Sequence, residues 1–411
     1  MNGSEPFNPY PGLRSFEPDE DHLFFGREKQ IDDLLKRLRK SRFLSVVGSS
    51  GSGKSSVIRS GLIPALYSGM MTRAGSGWRV AILRPGDDPI GHLAKALNDW
   101  DVLGPEDEDS AEMNRSLLET TLRSSAVGLA DAVRQSGMPR HENLLVVVDQ
   151  FEELFRFKQS TQKQDSRREA LTFVKLLLEG TKVDDVAVYV VITMRSDFIG
   201  NCMDFPNLPE AVNEGQYLIP RMTRDELRVA ITGPAAVAGG EISPRLVRTL
   251  LNEVGDNPDQ LPILQHALMR TWDYWENHHD DGQAVDLEDY RAIGTMREAL
   301  SRHAEEAYGE LASNRERDIA ERLFKALTDK GPHARGIRRP CRLEEVCGQV
   351  GAEADEVVAV AERFRRAGRS FLMPPSDVDL EAGSVLDISH ESLMRVWTRL
   401  IDWLDEEGQS A

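Results

Sequence analysis

The chain has 411 residues, 40% of them hydrophobic and 29% charged, with a formal net charge of −18. This length predicts more than one domain, and the composition excludes a disordered or fibrous chain. The negative charge disfavours a protein whose main work is gripping nucleic acid, because that affinity comes mostly from Lys and Arg.

The N-terminal "MNGSEPFNPYPG" has turn residues where a secretory signal needs a basic start and an apolar core, so a cytoplasmic chain is expected. The longest apolar runs, "LLVVV" at 144–148 and "VAVYVVI" at 186–192, are too short to cross a bilayer, and no membrane partner is expected. From Glu28 the pattern turns helical, with Ile31, Leu34, Leu35 and Leu38 forming one apolar stripe. Residues 42–47, "RFLSVV", read as a buried strand entering a glycine-rich turn, and a helix follows from Lys54. Further strands are predicted at 78–83, 144–148 and 186–193, with helical stretches between them. That alternation predicts a parallel sheet with crossover helices. The charge run "PEDEDSAE" at 105–112 reads as a solvated loop or helix start.

After "QYLIPRM" at 216–222 the strands stop, and Thr223 with Glu226 has the spacing of a capping box opening a helical unit. Helices are predicted at 243–254 and 261–276, the latter with Leu264, Leu268 and Trp272 on one face. Three more follow around 317–328, 342–350 and 354–367. Then "SFLMPPSDVDLEAGSVLDISHESLMRVW" reads as strand, turn-rich loop, strand and final helix, which suits a small winged-helix unit. The basic stretch "HARGIRRPCR" at 333–342 reads as a solvated loop. Cys202, Cys341 and Cys347 cannot close a disulfide framework or a zinc site and are expected to be buried free thiols. No repeat of solenoid or propeller period is present.

The chemistry begins at "GSSGSGKS", which fits GxxxxGK[ST] with Gly48, Gly53, Lys54 and Ser55 in place between a predicted strand and helix. Ser49, Ser50, Gly51, Ser52 and Ser56 complete the loop and the first helical turn. Glycines let backbone N–H groups turn inward around phosphates, Lys54 reaches the outer phosphates, and the Ser55 hydroxyl can ligate Mg²⁺. In "LLVVVDQFEELF" five apolar residues deliver Asp149 to a strand end, where it can hold the Mg²⁺ shell. Glu152 and Glu153 follow; a carboxylate there can orient a water for attack on the γ-phosphate, and acids there also suit the start of the next helix. "VAVYVVITMRSDF" ends with Arg195, which would lie beside the phosphate loop if its strand sits between those ending in Gly48 and Asp149. That insertion marks additional-strand ATPases and would let Arg195 sense the γ-phosphate; pairing with Asp197 is the alternative. "TKVD" at 181–184 precedes an apolar strand instead of following one, so it reads as a turn and GTP is disfavoured.

Together, "NPYPGLRSFEPDEDHLFFGRE", "VVGSSGSGKSSVIRSGLIPAL", "VVVDQFEELF", "TMRSDF", "LPILQHALMRTW" and "SHESLMRVWTRLIDW" resemble the novel STAND NTPases, relatives of the NACHT and NB-ARC signalling ATPases. The resemblance implies that Phe25, Gly26 and Arg27 lie near the adenine and ribose, that Pro262 packs on the base, and that His390 touches the β-phosphate of ADP. It further implies that Asp149 is the Mg²⁺ residue and that Glu153 positions the water. The expected fold class is an additional-strand P-loop NTPase of AAA+/STAND type, with a parallel α/β sheet followed by an all-α helical domain and a winged-helix domain. The expected divisions are an N-terminal arm with the FGRE helix at 1–41, the NTPase domain at 42–222, a helical domain at 223–312 and the winged helix at 313–411. The implied function is an ATP/ADP-binding switch that hydrolyses slowly, rearranges its domains and self-associates on activation, in signalling and antiviral defence. Sensor and effector modules or partner proteins not present in this chain would supply trigger and output. Two other readings remain open: an AAA+-like DNA-associated ATPase using its winged helix, and a non-hydrolysing ADP-bound scaffold.

Overall fold

The computed structural model describes residues 7–71, 77–155, 164–255, 260–279, 282–330 and 336–410, arranged as two compact units. The sheet unit comprises Arg27–Arg221 with Glu17–Asp21, and the helical unit runs from Met222 onward with His22–Gly26 and the stretch up to Phe16.

Five strands build the sheet unit: β1 (Phe43–Gly48), β2 (Trp78–Leu83), β3 (Asn143–Val148), β4 (Val188–Arg195) and β5 (Gln216–Leu218). Their order is β2-β3-β4-β1-β5, and every pairing is parallel. β4 therefore lies between the strand of the phosphate loop and the strand of Asp149, as the additional-strand expectation required. Register puts Gly48 opposite Arg195 and Val148 opposite Ile192. β1 and β3 are buried along their whole length, which is why both read as continuous apolar runs: crossover helices cover both faces of a parallel sheet. Each buried Val or Leu of β3 contributes about 1.5–3 kcal/mol. β4 begins and ends two residues later than its apolar run predicts: its pairing with β3 begins at Val188 and ends at Ile192, and β1 alone carries it on to Arg195. The charge run at 105–112 starts a helix, Glu108–Ser124, capped by Asp107.

In the helical unit, Thr223 and Glu226 form the predicted capping box on helix Arg224–Val237. Ser243 caps Pro244–Val254, and helix Gln260–His278 buries Leu264, Leu268 and Trp272. Thr295–Gly309 and Asn314–Ala326 follow, then Leu343–Val350 and Ala354–Arg365. Short strands interleave with these: β6 (Thr328–Lys330) pairs with β7 (Gly336–Arg338), while β8 (Cys341–Arg342), β9 (Leu372–Met373) and β10 (Val385–Ile388) form an antiparallel sheet of order β8-β10-β9. Trp397 is fully buried against Phe324 and Phe364. The basic stretch at 333–342 departs from its expectation over its described residues. It supplies β7 and β8, and Arg338 donates to Asp387 at 2.8 Å and to the Ile388 carbonyl at 3.0 Å. Cys202 and Cys341 are buried free thiols, and Cys347 is half-buried. No helix among the described residues is long and apolar enough to cross a membrane.

Two histidines meet in the helical unit's interior, His266 Nε2 lying 3.0 Å from His303 Nδ1 with the Phe371 ring edge-on to His303. Burial pushes His266 down to about 3, and burial together with the charges of His266, Arg270 and Arg369 holds His303 well below the usual histidine range. Unfolding lets both rings take up protons below about pH 6.5, so the folded state loses stability as pH falls through that value. Between pH 7 and pH 5.5 this pair is expected to cost about 2 kcal/mol. Urea unfolding at the two pH values measures it, and replacing both His266 and His303 by Leu should flatten the dependence; an equally steep dependence in the double variant would contradict the assignment.

Candidate nucleotide-binding site

β1 runs buried to Gly48, where the chain turns through Ser49–Gly53 into a helix. Gly51 and Gly53 take φ of +71° and +84°, the left-handed backbone that glycine adopts without steric cost. Gly48 has a different constraint, since a Cβ there would lie 2.7 Å from Ser52 Oγ. Ser52 Oγ donates to the Ser49 carbonyl at 2.9 Å and closes the loop. Lys54 arches back over it, its Nζ donating to the carbonyls of Gly48 at 3.1 Å and Ser49 at 2.7 Å. The helix from Lys54 passes through a π-turn at Val57–Leu62 before Ile63–Tyr67. Pro64 lacks the N–H that an α-helical turn would offer to Ser60, and such turns recur at functional sites. Here the turn's Arg59 and Ser60 hold Glu17, through its carboxylate at 2.6 Å and its carbonyl at 2.7 Å.

The acidic strand meets this loop directly. Asp149 is 2% exposed, and its Oδ1 accepts the Ser55 hydroxyl at 2.9 Å and the Thr193 hydroxyl at 2.6 Å. Burial opposes its charge, but the Arg84 and Arg59 guanidiniums and the two hydroxyls outweigh that and hold the carboxyl below the ordinary aspartate range. Glu152 is also buried; it accepts the Arg195 backbone N–H at 3.3 Å, and burial raises its carboxyl above the usual range despite the nearby Lys54 charge. Glu153 is half-buried and accepts the Gly86 N–H at 3.2 Å. Lys54 itself is pushed down by burial, with the carboxylates of Glu152 and Asp149 pulling the other way. The Arg195 guanidinium makes two bonds to Asp197, at 3.1 and 2.7 Å, and lies over the Phe198 ring.

Arg27 is 3% exposed, donating to the Ser52 carbonyl at 3.0 Å and the Pro220 carbonyl at 2.8 Å. It thereby ties the phosphate loop to the segment after β5. The sheet unit thus brings together Arg27, the loop residues 48–56, Asp149, Glu152, Glu153 and Arg195. Phe25, Gly26, Pro262 and His390 belong to the helical unit. There, the Phe25 ring packs so closely on Gly233 that a Cβ at that glycine would lie 2.6 Å away. Gly26, at φ +83°, has the Glu226 carbonyl oxygen where a side chain would start. Pro262 sits near the start of helix Gln260–His278, where a missing N–H costs nothing. His390 caps helix Glu391–Val396, its Nδ1 accepting the Ser392 N–H at 3.1 Å. In the neutral ring that bond places the proton on Nε2.

The pair of Ser55 hydroxyl and Asp149 carboxylate fits Mg²⁺, a hard cation held by one or two protein oxygens together with substrate phosphates. No cluster of three or more His, Cys, Asp or Glu able to hold a metal by themselves occurs among the described residues. Thr193, Arg59 and Arg84 shape the Asp149 environment without having carried any signal in the sequence. Thr193 is an ordinary β-branched residue in a strand, and the two arginines gain meaning only through the topology.

Residues 9–411 match the family described as Novel STAND NTPase 1. Among solved structures, the chain is similar to the ORC2 protein of Aeropyrum pernix in its ADPNP–ADP complexes, with a TM-score of 0.51 and 12% identity over 93% of this chain and 94% of that one. Cdc6p from Pyrobaculum aerophilum gives 0.41 and 15% over 93% and 94%. The RuvB Holliday junction branch migration motor of Thermotoga maritima gives 0.36 and 12% over 93% and 97%. At such identities the ORC2 likeness concerns the fold alone, and the two lower scores carry no argument. No curated protein matches. The match over nearly the whole chain, on a five-stranded parallel sheet with its phosphate loop and acidic strand in register, establishes that the chain belongs to the Novel STAND NTPase 1 family.

Proposed function

We propose that this chain is an adenine-nucleotide switch: it binds ATP or ADP with Mg²⁺, hydrolyses ATP slowly, and changes its domain arrangement and self-association with the nucleotide held. The observation that carries this reading is the direct bond between Ser55 of the phosphate loop and Asp149 of the acidic strand, within electrostatic range of Lys54. Bound between Ser55 and Asp149, Mg²⁺ would neutralise charge on the transferring phosphoryl group.

The chain's own residues do the rest. Lys54 exchanges the carbonyls of Gly48 and Ser49 for phosphate oxygens, which as anions accept its protons more strongly. Glu153 orients the attacking water. Arg195 is held by Asp197 through two parallel bonds, a geometry that a γ-phosphate can also satisfy, so the third phosphate competes with Asp197 for the guanidinium. Phe25, Gly26 and Arg27 serve the adenine and ribose side, and Pro262 the base. His390 donates from Nε2 to the β-phosphate of ADP; its capping bond to Ser392 supports this role, because it fixes which nitrogen carries the proton. One nucleotide thereby joins both units in the ADP form, and exchange for ATP releases the clamp.

The helices Asn314–Ala326, Leu343–Val350 and Ala354–Arg365 with the β8-β10-β9 sheet support a winged-helix reading of the last domain. DNA binding by that domain is disfavoured. The net charge is −18, Arg338 is occupied by Asp387, and Arg342 lies 4.0 Å from Glu344. Trigger and output come from sensor and effector modules or partner proteins, in signalling that includes defence.

Lys54→Ala should weaken adenine-nucleotide binding about tenfold to hundredfold, the worth of a charge-assisted phosphate contact. Equilibrium binding of a fluorescent ATP analogue measures this, and undiminished affinity would remove the phosphate loop from the reading. Glu153→Gln should retain ATP while slowing phosphate release by about a hundredfold or more. An unchanged turnover rate would take Glu153 out of the water-positioning role, and absence of turnover in the wild type would favour the scaffold alternative. His390→Asp keeps a good helix cap but has no donor for the phosphate, so ADP should dissociate at least about tenfold faster. Unaltered ADP dissociation in that variant would leave His390 a cap only.

A further inference from the structure

Asp149 is expected to keep its place while its partners change, and Ser55 cannot guarantee that, because the Ser55 hydroxyl is itself the residue expected to turn toward a cation. The second hydroxyl on Asp149 comes from β4. Thr193 is 1% exposed in a central strand, 2.6 Å from Asp149 Oδ1. The same hydroxyl oxygen accepts the Gln150 N–H at 3.0 Å, and the Thr193 carbonyl accepts the Phe151 N–H at 2.9 Å. Two residues on, the Arg195 N–H reaches Glu152. The end of β4 thus bonds to four successive residues of the acidic box.

The direction of the Thr193 bond follows from its partners. A backbone N–H can only donate and an ionised carboxylate can only accept, so the single hydroxyl proton lies toward Asp149. Between these bonds, Gln150 takes φ +56°, a backbone conformation uncommon for a side-chain-bearing residue, with Thr193 holding the peptide on either side of it.

We propose that Thr193 is a positioning residue for the metal-binding carboxylate: its buried hydroxyl fixes the orientation of Asp149 toward the phosphate loop and keeps it fixed when Ser55 turns to the cation. This rests on Asp149 being the Mg²⁺ residue. Partners of this kind orient ligands for a metal, and their loss typically weakens metal affinity 10- to 100-fold.

The test is Mn²⁺ binding, followed by electron paramagnetic resonance in the presence of ATP, beside ATP affinity in the absence of metal. Thr193→Val removes the hydroxyl at nearly constant volume, and Thr193→Ala gives a second removal should the Val variant fold poorly. Both are expected to bind Mn²⁺ about 10- to 100-fold more weakly with metal-free ATP affinity unchanged, while Thr193→Ser matches the wild type. Wild-type Mn²⁺ affinity in the Val and Ala variants, or a Ser variant as weak as they are, would overturn the proposal. Asp149→Asn separates the two levels. If it weakens Mn²⁺ binding while Thr193→Val does not, the positioning role alone fails; if it too binds Mn²⁺ normally, the metal role of Asp149 falls and the Thr193 inference with it.

Discussion

The carboxylate of Asp149, held at one oxygen by one hydroxyl from a helix start and one from a strand, is the contact on which the rest of the site depends. Ser55 comes from the helix after β1 and Thr193 from β4, so this single oxygen ties three adjacent strands together at their carboxyl edge. A buried carboxylate pays for desolvation unless it is paired and hydrogen-bonded. Here it has both, through the two hydroxyls and the charges of Arg84 and Arg59. The consequence is a negative charge that persists within electrostatic range of Lys54.

The remaining charges are arranged around that pair with different fates. Lys54 and Arg195 are each satisfied by protein groups, loop carbonyls for one and Asp197 for the other. In the proposed function phosphate oxygens take the place of both sets of partners. Glu152 and Glu153, adjacent in sequence, differ sharply: the first is buried and its carboxyl raised, the second tied to the loop after β2 through Gly86. Two neighbouring carboxylates held in unlike surroundings can take separate roles in one reaction.

Much of this was legible in the sequence because it rests on local rules. The glycines of the phosphate loop announce positive φ, "LLVVV" announces a strand buried on both faces, and Thr223 with Glu226 announces a helix start that the structure realises as a full capping box. What stayed hidden is non-local or too short to show a period. β6 to β9 have two or three residues each, too few for an alternation, and the basic stretch that contributes β7 and β8 owes its order to Asp387, some fifty positions away. Thr193 looks like any strand threonine until β4 is placed between β1 and β3. Arg27 drew notice only through the family resemblance, and its bonds to the carbonyls of Ser52 and Pro220 come only from folding three distant segments together.

The proposed switch has one physical requirement: a ligand biases one arrangement over another only through contacts that differ between its di- and triphosphate forms. The most direct measurement is sedimentation velocity on the purified chain loaded in turn with ADP and with a non-hydrolysable ATP analogue, both with Mg²⁺. A compact species with ADP and a more expanded or larger species with the analogue is the predicted result; indistinguishable sedimentation of the two saturated forms would contradict the account.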